Sequence, residues 1–177
     1  LFRSAQLPRV FKAIQIGPVW RADRPQKGRF REFFQCDVDI VGSKEIGAEV
    51  DCIAAILEVF ARVGIEGVEV HLNDRRLLAA LRGDLSESDW GSALVTLDKL
   101  DKIGPEGVVK ELAEKMGSAP AGISRVLEGA GLENFRAVDP DSVNSLEQIL
   151  ALLTRLAPGT KAVFNPTLVR GQDYYTG

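Results

Sequence analysis

A single histidine, two cysteines and no apolar run approaching the roughly 18 residues of a membrane span limit what this 177-residue chain can be. His71 alone cannot supply the imidazoles of a multi-histidine zinc site, and on its alternating segment it reads as a strand residue with no catalytic role. Cys36 and Cys52 are too few to form a disulfide scaffold in a domain of this size, so reduced thiols in a cytoplasmic setting are expected. No signal-peptide pattern is visible, and Leu1 stands where an initiator methionine would, so we expect a piece of something longer. Two chemical signatures are also missing. No glycine-rich loop is built to cradle phosphate, and no Ser/His/Asp or Cys/His set can be assembled.

What is present is an ordinary globular composition, 45% hydrophobic and 27% charged, with mean hydropathy near zero. The net charge is −3, yet Arg21, Arg24, Lys27, Arg29 and Arg31 face only Asp23 and Glu32 within residues 21–32, a local +3 that leaves −6 for the remainder. Positive charge confined to one segment of an acidic chain points to a bound anion more than to a general nucleic-acid surface.

The basic segment lies between two alternating runs. In 13–21, Ile14, Ile16, Pro18 and Trp20 share one face, and Gln15, Gly17, Val19 and Arg21 the other. In 32–41, Phe34, Cys36, Val38 and Ile40 oppose Phe33, Gln35, Asp37, Asp39 and Val41. The pattern predicts an antiparallel pair with Arg21 on the carboxylate-bearing face. Val50, Ile53, Leu57 and Phe60 predict a helix over 47–63 that stops at Gly64. Val68, Val70 and Leu72 predict a short strand, and Asn73 a cap for the helix carrying Leu77, Leu78 and Leu81.

From about 84 to 157 only short helices are read. Leu94, Leu97, Leu100 and Ile103 mark one; Pro105 opens the next, with Val108, Leu112 and Met116; Ile123, Val126 and Leu127 a third. Val143 to Leu156 forms the longest, ended by Pro158–Gly159, and two strands follow at roughly 161–169 and 171–177. The best fit is a helical block inserted between strands of one sheet, without internal repeat or low-complexity sequence.

Three constellations carry chemistry. The basic loop can fold guanidinium groups over a phosphate, although a charged hairpin tip can also be merely solvated. The Gln35/Asp37/Asp39 face, bracketed by Phe33 and Val41, reads as a partly covered pocket floor; its bland alternative is the solvent side of a sheet. An ionised acid there is acceptor-only and suits an ammonium or an imidazole N–H, while a metal pair lacks further ligands. Finally, LVRGQDYYTG (168–177) brings a cation, an acceptor and two phenols within six residues, or else packs aromatics on a terminal strand.

Together, IGPVWRADRPQKGRFREFFQCDVDIVG and LVRGQDYYTG resemble the second class-defining motif and the histidine-specific motif of histidyl-tRNA synthetases, a class II aminoacyl-tRNA synthetase family; VHLNDRRLL and LDKLDKIGPEGV resemble the segments that flank and enter its helical insertion. The resemblance covers almost the whole chain, and it implies an α+β fold: an antiparallel catalytic sheet of class II type with a small inserted helical domain. The expected division is 1–83 for the first part of the catalytic core, 84–157 for the insertion and 158–177 for the last strands with the histidine-specific motif.

The resemblance also implies roles. Arg21 would contact the α-phosphate of ATP and the amino acid's carboxylate, Arg29 the outer phosphates, and Phe33 the adenine face. Gln35 would bind the substrate amino acid and Asp39, where the family often has glutamate, its imidazole. Arg170 would stand beside the α-phosphate and carboxylate, with Tyr174 and Tyr175 matching the motif's tyrosines. Implied ligands are histidine, ATP with its Mg2+ and tRNA(His), the complete enzyme being a homodimer. The family's first motif and its third, with the anticodon-binding domain, would lie outside residues 1–177, so the chain is expected to be a catalytic-core fragment of little or no activity alone. A non-catalytic histidine-binding regulatory subunit is the alternative; such paralogues typically lose the loop arginines or the histidine motif, both intact here.

Overall fold

The computed structural model describes residues 7–169. Arg170, Tyr174, Tyr175 and the strand expected over 171–177 therefore lie outside the described residues. Two compact units are present, Leu1–Glu66 and Gly67–Gly177.

In the first unit, β1 (Phe11–Trp20) and β2 (Glu32–Val41) form the antiparallel pair the alternation predicts. The register sets Ala13 opposite Asp39, Gln15 opposite Asp37, Gly17 opposite Gln35 and Val19 opposite Phe33. Directly opposed residues share a face, so the odd-numbered positions form one polar surface and the even-numbered ones an apolar surface. That apolar surface is largely bare: Ile14 is 70% exposed, Ile16 71%, Trp20 68% and Phe34 79%. Gly42 ends β2 at φ 89°, where a Cβ would fall 1.9 Å from the Arg9 carbonyl oxygen, so only glycine fits. The helix α1 (Ile46–Arg62) lies against β2 and buries Val50 and Leu57. Lys12 on β1 pairs with Asp51 on α1 at 2.5 Å.

In the second unit, β3 (Glu69–Leu72) pairs in parallel with β4 (Lys161–Phe164). Parallel neighbours need a long crossover, and here the whole helical block supplies it: α2 (Arg75–Ala80), α3 (Glu87–Leu97), α4 (Leu100–Met116), α5 (Ala121–Leu127), a 3-10 turn at Leu132–Phe135, and α6 (Pro140–Leu156). The core gathers Leu77, Trp90, Leu97, Leu112, Ile123, Phe135 and Val143, with Phe164 of β4 edge-on to Phe135 at 5.5 Å between ring centres. Thr96 is buried between α3 and α4, where its hydroxyl accepts from Lys115 at 3.0 Å. Lys99 and Lys115 both reach Glu111 at 2.6 Å, and these two contacts hold the Glu111 carboxyl down at about 2.

Three local expectations are corrected, and one element is new. The apolar spacing from Leu94 to Ile103 is not one helix: α3 ends at Leu97, and Leu100–Ile103 is a separate turn before Gly104, which stands at φ 70° and breaks the backbone ahead of Pro105. Asp74, not Asn73, caps α2, accepting from the Arg76 N–H at 2.8 Å. The strand expected over 161–169 ends at Phe164, because Asn165–Pro166 turns the chain. The 3-10 turn that buries Phe135 was not foreseen.

Candidate functional site

The residues that close the basic loop are its own. Arg21 follows β1 and its N–H donates to the Arg31 carbonyl at 2.8 Å, so the chain leaves and re-enters the hairpin at one point. Between them, Gln26 and Arg29 exchange backbone hydrogen bonds of 3.2 and 2.8 Å in a tight turn, which brings Arg29 back toward the strands.

Two guanidinium groups then meet one carboxylate oxygen. Arg29 Nη2 lies 2.6 Å and its Nε 3.2 Å from Asp23 Oδ2, and Arg21 Nε stands 3.6 Å from the same atom. The Arg29 hydrogen bond, the largest effect, outweighs the opposing effect of burial and, with the charges of Arg29 and Arg21, holds the Asp23 carboxyl below its ordinary range. Arg31 donates to the Asp23 carbonyl at 3.3 Å. Asp23 thus occupies the place an anionic oxygen takes among convergent arginines. The sequence reading passed over it, although its position two residues after Arg21 was the available signal.

Arg21 is fixed from two other sides. Its Nε donates to the Phe30 carbonyl at 3.0 Å, and its guanidinium carbon lies 4.4 Å from the centre of the Phe33 ring. Farther along the same face, Gln35 Nε2 donates to Asp37 Oδ1 at 2.5 Å, which orients the amide. Asp39 follows, exposed, opposite the small side chain of Ala13. Gly17, opposite Gln35, has open space where a Cβ would stand. The odd-numbered face is therefore low on β1 and functionalised on β2: a shelf with cations and an aromatic at one end and an amide and carboxylates at the other. Val41 is exposed and closes no wall over it.

Burial, then the charges of Asp51 and Asp39, push the Cys52 thiol up, away from nucleophilic thiolate. Among the described residues, no group of three or more His, Cys, Asp and Glu side chains is arranged to hold a metal ion, and no helix is long and apolar enough to cross a membrane. His71 lies on β3, with Asn165 Nδ2 3.0 Å from its Nδ1 and Glu69 3.4 Å from its Nε2.

Comparison with known proteins adds a second line of evidence. Residues 3–177 match the family described as histidyl-tRNA synthetase. The chain is 42% identical to a histidine–tRNA ligase of Leifsonia xyli subsp. xyli over 98% of its own length and 44% of that protein's. It is 40% identical to a histidine–tRNA ligase of Christiangramia forsetii, covering 94% of this chain and 40% of the relative. Among solved structures, it resembles a histidyl-tRNA synthetase from Nostoc sp. PCC 7120 with a TM-score of 0.77 and 27% identity, over 94% of this chain and 42% of that one. The chain thus spans less than half the length of these relatives.

Proposed function

Because this chain belongs to the histidyl-tRNA synthetase family, we propose that the complete protein containing it is a histidine–tRNA ligase and that the odd-numbered face of the β1–β2 hairpin is its substrate shelf. The observation that carries this reading is the convergence of Arg21 and Arg29 on a single anionic oxygen, 3.6 and 2.6 Å away, beside the Phe33 ring. Two guanidinium groups so placed suit the phosphates of ATP, which would take over the role of the Asp23 carboxylate, and the Phe33 face suits a nucleobase. Mg2+ would arrive with the nucleotide and share the neutralisation of its phosphates.

Gln35 and Asp39 suit the other substrate. A carboxylate at Asp39 accepts from an imidazole N–H, and the Gln35 amide, steadied by Asp37, offers directional hydrogen bonds to an amino acid. The histidine carboxylate would attack the α-phosphorus; the new bond joins carboxylate oxygen to phosphorus, the α–β bridge breaks, and pyrophosphate leaves. Negative charge grows on the transferring phosphoryl group, so the protein's part is positioning and cationic stabilisation, and no covalent nucleophile is required. Transfer of the histidyl group to tRNA(His) would follow in the complete, homodimeric protein.

Arg170, Tyr174 and Tyr175 enter this reading through the sequence resemblance alone. The division into core segments 1–83 and 158–177 around a helical insertion at 84–157 belongs to the same proposal, as does covering of the bare even-numbered face by the rest of the protein. The test is ATP–pyrophosphate exchange by the complete protein. Exchange that depends on histidine and on no other amino acid is expected; exchange driven equally well by another amino acid would overturn the assignment.

A further inference from the structure

The arginines of the hairpin loop do not stand open; they are already closed on an anion of the chain's own. Three nitrogens meet at one atom, Asp23 Oδ2: Arg29 Nη2 at 2.6 Å, Arg29 Nε at 3.2 Å and Arg21 Nε at 3.6 Å. All three side chains stay partly exposed, so an anion from solvent can reach them while the hairpin remains folded. The backbone beneath is held more firmly. The Asp23 carbonyl accepts from Arg31 Nε at 3.3 Å, the Arg21 N–H donates to the Arg31 carbonyl at 2.8 Å, and Gln26 and Arg29 close the turn between them.

A carboxylate on a backbone so held is a tethered competitor, present at fixed effective concentration beside the cations it serves. A bound phosphate turns it aside by a side-chain rotation, and the same rotation returns it when the phosphate leaves. Glu32, the other acid of the basic segment, is placed differently: it opens β2 on the even-numbered face, opposite Trp20. We propose that Asp23 is a placeholder for phosphate, which opposes polyphosphate binding and hastens the departure of pyrophosphate by retaking Arg29 and Arg21 as they come free. Asp23 has this role only if the shelf takes ATP as proposed above, pyrophosphate then being the leaving group. A strut that merely kept the arginines in order would act in the opposite sense. Its removal would release two long side chains, whose ordering opposes binding.

The test compares the complete protein with its Asp23→Asn variant, which keeps the shape of the side chain and removes its charge. Glu32→Gln is the control, because it removes the same charge from the same segment. Calorimetry with magnesium pyrophosphate at constant ionic strength gives Kd, and stopped-flow detection of pyrophosphate released on dilution gives its dissociation rate. Asp23→Asn should lower Kd about 2- to 5-fold, the scale of one exposed charge pair, and slow dissociation in similar proportion. Glu32→Gln should leave both near wild type. In an Arg29→Ala background the effect of Asp23→Asn should shrink, since its nearest partner is gone. Unchanged or weaker pyrophosphate binding by Asp23→Asn, a gain in affinity without slower dissociation, or an equal gain in Glu32→Gln would overturn the placeholder. Wild-type protein that binds neither ATP nor pyrophosphate would instead overturn the phosphate reading of the shelf, and the placeholder with it.

Discussion

Replacing Gly17 with valine separates the needs of the fold from those of the shelf. Gly17 lies inside β1, its backbone is not in the left-handed region, and a Cβ there meets nothing within 4 Å. Glycine in a strand interior costs about 0.5–1 kcal/mol relative to alanine, and valine suits a pleated surface. The hairpin should therefore lose no stability and gain up to about 1 kcal/mol. The new side chain would stand over the odd-numbered face, directly opposite Gln35, within roughly 5 Å of its Cβ. If the amide of Gln35 holds the amino acid, blocking it leaves a polar group of the substrate unpaired, a loss of about 1–3 kcal/mol. At 1.4 kcal/mol per tenfold, the KM for histidine should rise about 5- to 150-fold. Exchange kinetics on the complete protein, with chemical denaturation as the control, measure both quantities. An unchanged KM for histidine alongside an intact fold would mean that substrate does not lie on this face.

Other expectations follow from the same geometry. Arg29→Ala should raise the KM for ATP about tenfold or more, by loss of a bidentate charged contact, while calorimetric histidine binding in the absence of ATP stays unchanged. Glu111 is held at about 2 against an ordinary 4.5, so its ion pairs stabilise the fold fully above pH 4.5 and are lost as pH falls toward 2. Thermal midpoints should consequently fall more steeply through that window for the wild type than for Glu111→Gln, and parallel slopes would contradict the clamp. Phe135→Ala removes a ring that is 2% exposed and should cost about 3–5 kcal/mol in denaturant unfolding.

Much of the shelf was legible in the sequence because a strand's period of two is unforgiving. Once Phe33, Gln35, Asp37 and Asp39 alternate with apolar residues, they must share a face, and Arg21 over the Phe33 ring follows from the same parity. The helical block was legible in its strongest stripes but not at its joints. Leu94, Leu97, Leu100 and Ile103 keep a spacing of three across the break at Asp98–Lys99, where neither proline nor glycine punctuates the chain, so periodicity alone fused two elements. The strand expected over 161–169 likewise overran its end at Phe164, although Asn165–Pro166 is a turn signal in its own right.

What was not legible is long-range. Asn73 read as a cap because asparagine before a helix usually is one; its actual acceptors, the carbonyls of Pro166 and Leu168, are brought to it only by the β3–β4 pairing. Asp23 read as one acid among cations: its place two residues after Arg21 was in view, but not the Gln26–Arg29 turn that returns Arg29 to the same oxygen. Nor does hydrophobic patterning say what covers a face. The even-numbered side of the hairpin has the apolar residues of a core position, yet Ile14, Ile16, Trp20 and Phe34 stand exposed.

The most direct measurement is calorimetric titration of histidine into the complete protein and into its Asp39→Ala variant, each with ATP binding measured in parallel. Histidine binding that is lost or made indiscriminate in the variant while ATP affinity is retained is the expected result, and it would place the imidazole at the carboxylate end of the shelf. Normal, selective histidine binding by Asp39→Ala would contradict that placement.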